Sequence, residues 1–249
     1  MPINLPVENA PYLDVSGLEI ASVSDSTLSV AAGRARNSSN ESDIILEAGV
    51  TVDAANNGIN GLDNGALGNS LLYKLYAVGD STNNNTPGAV LSLATSSAPT
   101  LPVGYDMYRL IGYLRTDGTA DLLAGFWSGS ANERLFMYDA PIATAITAGA
   151  ATTDTEVVLD TFVPAVLGLP VVINYAMTPA AASRTLTLKP YGAVGAVYQA
   201  TSQVTAVVLR GSAVVQAGLN SALPALEYLW STGGSDAVAL DVAGYHYSI

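Results

Sequence analysis

The sequence predicts an all-β protein, and three observations predict it. Segments alternating apolar and polar residues recur, among them Leu18-Glu19-Ile20-Ala21-Ser22-Val23 and Arg184-Thr185-Leu186-Thr187-Leu188-Lys189. In the second, Leu186 and Leu188 face one side, with Thr185, Thr187 and Lys189 on the other. Val, Ile, Thr and Tyr, which suit a pleated surface, are the residues that fill such segments. Turn pairs separate the runs at short intervals: Asn57-Gly58, Asn60-Gly61, Asn64-Gly65, Asp117-Gly118 and Gly233-Gly234. This spacing belongs to a sandwich or barrel.

The 249 residues suit two β-sandwich-like domains of about 100–150 residues each. Residues 1–14 carry Pro2, Pro6 and Pro11 and read as an extended N-terminal arm. The first domain is expected over residues 15–147. It contains the hairpin that reads most clearly, Met107 to Arg115, a turn at Asp117-Gly118, then Ala120 to Phe126. An Asp-Gly pair tolerates the positive φ angles of a tight turn. Ala140 to Ala151 is Ala-rich and reads as a linker, which sets the boundary near Ala148 to Thr153. The second domain is expected over residues 148–249. Glu156 to Asp160 and Pro170 to Tyr175 are denser apolar runs, expected as strands buried on both faces. Pro224 to Trp230 fits either a helical turn or a strand. No residue run repeats at a fixed period, which disfavours a solenoid.

Composition narrows the functional classes. Charged residues are 12% of the chain, about half the usual share for soluble domains. A charge-poor surface is suited to contact between subunits, because interface cores are depleted in charge. The formal net charge is −12, from nine Lys plus Arg against 21 Asp plus Glu. That balance disfavours nucleic acid and anionic membrane surfaces as partners. The absence of cysteine excludes disulfides and thiolate metal sites. The start, Met1-Pro2-Ile3-Asn4-Leu5-Pro6, has no basic or apolar leader pattern. The longest apolar stretch, Phe162 to Ile173, is broken by Pro164, Gly168 and Pro170 and is far short of the ~20 residues that span a bilayer.

Candidate chemistry is sparse. His246 is the sole histidine and lies in an alternating terminal strand, Tyr245-His246-Tyr247. No Gly-x-Ser-x-Gly elbow accompanies it, so a structural role is expected over a triad base. Asp53, Asn56, Asn57, Asn60, Asp63 and Asn64 crowd one segment with oxygen ligands that suit calcium. Their spacing matches no EF-hand, and Asn or Asp beside Gly are turn formers. Asp117 and Asp121 could serve as paired carboxylates for glycoside hydrolysis, but Asp117 already has a turn role. The glycines from Gly58 to Gly68 lack the Gly-Lys-Ser/Thr of a phosphate cradle. No catalytic, cofactor-binding or metal-binding residue is therefore assigned. Tyrosine is abundant, 13 against three Phe, and fits either recognition surfaces or ordinary strands.

An ordered series of short motifs carries a resemblance. It runs from about Leu28 to Phe126: Ala32-Gly33-Arg34-Ala35-Arg36-Asn37, Asp43-Ile44-Ile45-Leu46, Thr51-Val52-Asp53, Gly58-Ile59-Asn60-Gly61-Leu62-Asp63-Asn64-Gly65-Ala66-Leu67, Tyr73-Lys74-Leu75-Tyr76-Ala77-Val78-Gly79-Asp80-Ser81, Ala98-Pro99-Thr100-Leu101-Pro102-Val103-Gly104-Tyr105-Asp106, Tyr108-Arg109-Leu110-Ile111-Gly112 and Arg115-Thr116-Asp117-Gly118. In order and spacing it resembles bacteriophage virion proteins of the tail-fibre-like and particle-decoration type. The resemblance implies noncatalytic scaffolding and transfers no functional residue. The expectation is a non-enzymatic structural protein located in the virion, without cofactor. Its partners would be itself, with a trimer as the first guess, and other virion proteins of head or tail. It would serve as a decoration, collar or fibre-base block. The alternative is a receptor-binding module at a fibre tip that recognises a host glycan through Tyr and Asn loops. The charge-poor stretch Val194 to Leu219, with Val204, Val207, Leu209, Val214 and Val215, is the expected contact between copies.

Overall fold

A computed structural model describes residues 15–22, 24–96, 98–130, 133–194, 198–203, 207–231 and 236–248. The expected arm, residues 1–14, and the Gly233-Gly234 turn lie outside them. Every regular element among the described residues is a β-strand, as the alternation predicts.

The strands form four sheets. The largest has eight, in the order β17 (Leu209–Gln216), β14 (Pro170–Thr178), β20 (Ala237–Ser248), β12 (Glu133–Gly149), β11 (Gly125–Ser130), β2 (Ile20–Ser22), β3 (Thr27–Val30) and β6 (Val50–Asp53). A second sheet orders β10 (Met107–Arg115), β8 (Leu72–Gly79), β9 (Gly88–Leu93) and β7 (Gly61–Leu62). A third joins β1 (Val15–Gly17), β4 (Gly33–Arg36) and β5 (Asp43–Leu46). The fourth orders β13 (Thr155–Val158), β19 (Leu223–Trp230), β15 (Thr185–Pro190) and β16 (Tyr198–Thr201), with β18 (Gly218–Asn220) also on β19. Among the described strands, pairing is antiparallel apart from β7 with β9.

The large sheet takes strands from both sides of the expected boundary at residues 147 and 148. The segment expected as a linker is instead the end of β12, which runs through Gly149. Its ladder partner is the last strand, from Glu133 opposite Ser248 to Gly149 opposite Val238. Alanine and proline made this segment look like a connection. Long-range pairing with β20 overrides that preference, and Pro141 falls where the register slips between Met137 and Ile142, a position that tolerates a missing N–H.

Most of the core is one apolar cluster that runs from Val15 to Tyr247, and a smaller one gathers Tyr76, Val78 and Val90 from β8 and β9. Between the sheets, Phe136, Tyr138, Tyr245 and Tyr247 interlock edge-on or tilted, with Phe136 4.6 Å from Tyr138 and 5.2 Å from Tyr245. Trp230, wholly buried on β19, donates its indole N–H to the Gly149 carbonyl at 3.1 Å. Burying such side chains supplies the main driving force for folding.

Three local expectations need correction. The hairpin over residues 107–126 turns where expected, but its strands do not form a ladder. Leu123 N–H bonds to the Arg115 carbonyl and Thr116 bridges Leu122. Then the chain leaves, and β11 joins β12 and touches β2 in the other sheet, while β10 pairs with β8. The left-handed residue of the turn is Ala120 (φ 71°), not Gly118. Second, neither Glu156 to Asp160 nor Pro170 to Tyr175 is buried on both faces; in the latter, Val171 and Ile173 are buried while Val172 and Asn174 are half-buried. β13 is an edge strand with Val157 buried and Val158 exposed. Third, the two readings of Pro224 to Trp230 resolve to strand β19.

Candidate interaction surface

The carboxylates weighed for chemistry accept hydrogen bonds within turns or between loops. Asp53 accepts hydrogen bonds from the Ala55 amide at 3.0 Å and the Asn56 side chain at 2.8 Å. Asn60, itself at φ 58°, accepts from the Ala89 amide, and Asp63 accepts from the Thr100 amide. The Ala89 bond, with the main-chain bonds from Asn60 to Ala89 and from Asp63 to Leu91, holds the Asp53 to Asn64 segment against β9. Asp117 accepts from the amides of Thr119 and Asp121, and the Thr119 hydroxyl bridges both acids. Those donors hold the Asp117 carboxyl below its usual range, led by the Asp121 amide. A glycosidase acid needs the opposite shift.

Sequence reading overlooked the tightest of these knots. Asp80 is buried after β8 and accepts from the Thr82 hydroxyl and amide, the Asn84 amide, and the Asn85 amide and side chain, at 2.6–3.0 Å. The Thr82 bonds are the largest cause of a carboxyl pKa lowered to about 2. The run Asp80-Ser81-Thr82-Asn83-Asn84-Asn85 was the available signal, since Asp with following Ser, Thr and Asn builds side-chain-capped turns.

His246 lies on the outer side of β20, opposite Leu135. A bulge puts it there. Val238, Leu240 and Val242 face inward, and Val172 pairs with Gly244 while Ile173 pairs with Val242, so Ala243 is an extra residue. The extra residue inverts the alternation, and Tyr245 and Tyr247 turn inward instead. His246 lines a cavity of about 450 Å³ with Glu133, Leu167, Pro170 and Val214. The cavity walls include no serine or threonine among the described residues.

The described tyrosines divide evenly between buried and half-buried positions. Tyr73, Tyr76, Tyr138, Tyr228, Tyr245 and Tyr247 are buried, and no described tyrosine is fully exposed. Tyr105, Tyr108, Tyr113, Tyr175, Tyr191 and Tyr198 are half-buried, and Tyr175 and Tyr198 join hydroxyls at 2.8 Å.

The edges of the sheets hold the more telling contrast. Most edge strands have four residues or fewer: β1, β5, β6, β7, β13 and β16. Two are long. β10, with nine residues, is covered: its carbonyls at Tyr108, Ile111, Tyr113 and Arg115 accept from Ser38 N–H, the Tyr247 hydroxyl, the Tyr245 hydroxyl and Leu123 N–H. It also slips register between Leu110 and Gly112. β17, with eight residues, has none of these devices. It pairs with β14 in unbroken register from Leu209 opposite Met177 to Gln216 opposite Pro170. Its outer side has no main-chain partner among the described residues. Arg210 is its only charged residue. Exposed Val207 and Val208 precede it, and Val214 stands 56% exposed within it. Of the valines expected to form a contact, Val207 and Val214 are at the surface, Val215 is in the core, and Val204 lies outside the described residues.

No protein-family model matches the chain, and a search of curated proteins returns no match.

Proposed function

We propose that this chain is a non-enzymatic structural protein of a bacteriophage particle: a homo-oligomeric decoration, collar or fibre-base building block. The observation that carries the self-assembling part is β17, a long, regular, charge-poor edge with exposed valines. An open edge of this kind is a template for another chain, and natural monomers usually blunt it. A closed symmetric contact uses the edge and removes the hazard. The net charge of −12 works in the same direction, because it keeps copies from associating at random. The phage assignment rests on the resemblance over residues 28–126. The glycan-binding tip has less support, since half of the described tyrosines are buried in the core.

Light scattering at micromolar concentration, repeated in moderate salt, tests the assembly. The expected result is a discrete oligomer, a trimer first. A monomer mass throughout, with no symmetric contact between copies on a particle, would overturn the reading. Locating the chain in an electron-microscopy map of intact particles tests the virion assignment.

A further inference from the structure

We propose that β17 is the acceptor edge for the N-terminal arm of a second copy, which adds residues 3–7 as a ninth strand of the large sheet. This rests on the self-assembly reading above and names the contact that it requires.

The edge fixes what can dock. Alternate residues of β17 direct N–H and C=O groups away from β14, so an extended segment recovers main-chain hydrogen bonds there. A docking segment must be short, apolar on one face, and free of proline on its paired side.

The arm meets each condition. Ile3, Leu5 and Val7 alternate with Pro2, Asn4, Pro6 and Glu8. In an extended strand, the parity that selects the side-chain face also selects the lateral direction of the N–H and C=O groups. If residues 3, 5 and 7 pair with β17, Pro2 and Pro6 point outward, where no N–H is needed. The same two prolines then close the new edge and stop a tenth strand from adding. Ile3, Leu5 and Val7 share one face, beside exposed Val214.

Reach and charge agree. The described chain begins at Val15, held opposite Ala35 on β4. Seven residues, 8–14, can span at most ~23 Å when extended, the reach that docking on a neighbouring copy requires of them. The charged side chains in the arm are Glu8 and Asp14, whereas the stretch from Val194 to Leu219 contains only Arg210. The docking residues 3–7 themselves carry no charged side chain, so the contact adds no like-charge pair within a protein whose copies repel overall.

Two proline substitutions of opposite parity test the contact in the full-length chain. Leu5→Pro puts a proline on the paired side, and Asn4→Pro puts one on the side facing away. Concentration-dependent light scattering should show Leu5→Pro raising the assembly midpoint at least ~tenfold, the equivalent of one lost main-chain bond and its clash. Asn4→Pro should leave the midpoint near that of the parent. Val214→Lys, which installs a gatekeeper on the acceptor, should act like Leu5→Pro. A synthetic peptide of residues 1–14 in excess should break the oligomer into single chains. Circular dichroism of each variant confirms that the sheets are retained. An oligomer indifferent to Leu5→Pro and to the peptide would overturn this inference and leave self-assembly standing. Equal loss in both proline variants would overturn the parity argument. A full-length chain monomeric at every concentration would overturn the self-assembly reading itself. An arm seated on its own β17 would appear as a monomer that does not bind the peptide, and would overturn exchange between copies.

Discussion

Tyr247 donates its hydroxyl to the Ile111 carbonyl at 3.3 Å, across the gap between the eight-stranded sheet and the β10 sheet. Its neighbour Tyr245 does the same to Tyr113. Burial holds both phenols well above their usual pKa, so both remain neutral donors. The two hydroxyls thus bond the facing sheets while covering an edge.

Tyr247→Phe keeps the ring and orphans the Ile111 carbonyl. The expected cost is about 1–2 kcal/mol, read as a lower urea midpoint at unchanged slope. An unchanged midpoint would show that the carbonyl finds another partner.

Gly244 must stay glycine for a reason of space. A Cβ there would collide with the Phe136 carbonyl and meet the Met137 sulfur at 2.8 Å. Gly244→Ala should force β20 away from β12 and destabilise the fold by about 1–3 kcal/mol. Chemical denaturation measures it, and a neutral result would place the bulge at Ala243 elsewhere.

Arg134 is buried and donates to the carbonyls of Leu18 at 2.8 Å and Gly17 at 2.9 Å. Burial lowers its pKa, the expected response of a desolvated cation. Arg134→Met should orphan both carbonyls, at about 1–3 kcal/mol each before relaxation. Amide exchange should accelerate first across residues 15–22. Uniform acceleration over the whole chain would mean that this segment is not a separate unit.

The Asp80 turn sets an acid limit. Its carboxyl is lowered from 3.8 to about 2, so the folded state favours the ionised form. The resulting stability is fully present above the unfolded value near 3.8 and is lost as pH falls toward 2. Between about pH 4 and 2, the amides of Asn84 and Asn85 should lose exchange protection. Asp80→Asn should weaken the turn at neutral pH and flatten this part of the acid dependence. A variant with the parent's acid profile would refute the assignment.

The sequence by itself determined the all-β class and many of the turns. Alternation at Thr185 to Pro190 and asparagine–glycine pairs at residues 57–65 are local signals, because side-chain face and φ preference are properties of a few adjacent residues. It also specified the scarcity of charge that leaves β17 bare. Partners were another matter. That β10 pairs with β8 and not with β11, and that β12 continues through an alanine-rich stretch, follow from ladders between residues far apart in the chain. The position of His246 is the sharpest case. Even-numbered residues face inward up to Val242, and one unpaired residue, Ala243, reverses the count. A bulge leaves almost no mark on local pattern, so only the neighbouring strands could decide which side the histidine faces. The same holds for the tyrosines and the edges. Residue type sets what a side chain can do, whereas burial and free main-chain groups exist only once the sheets have packed.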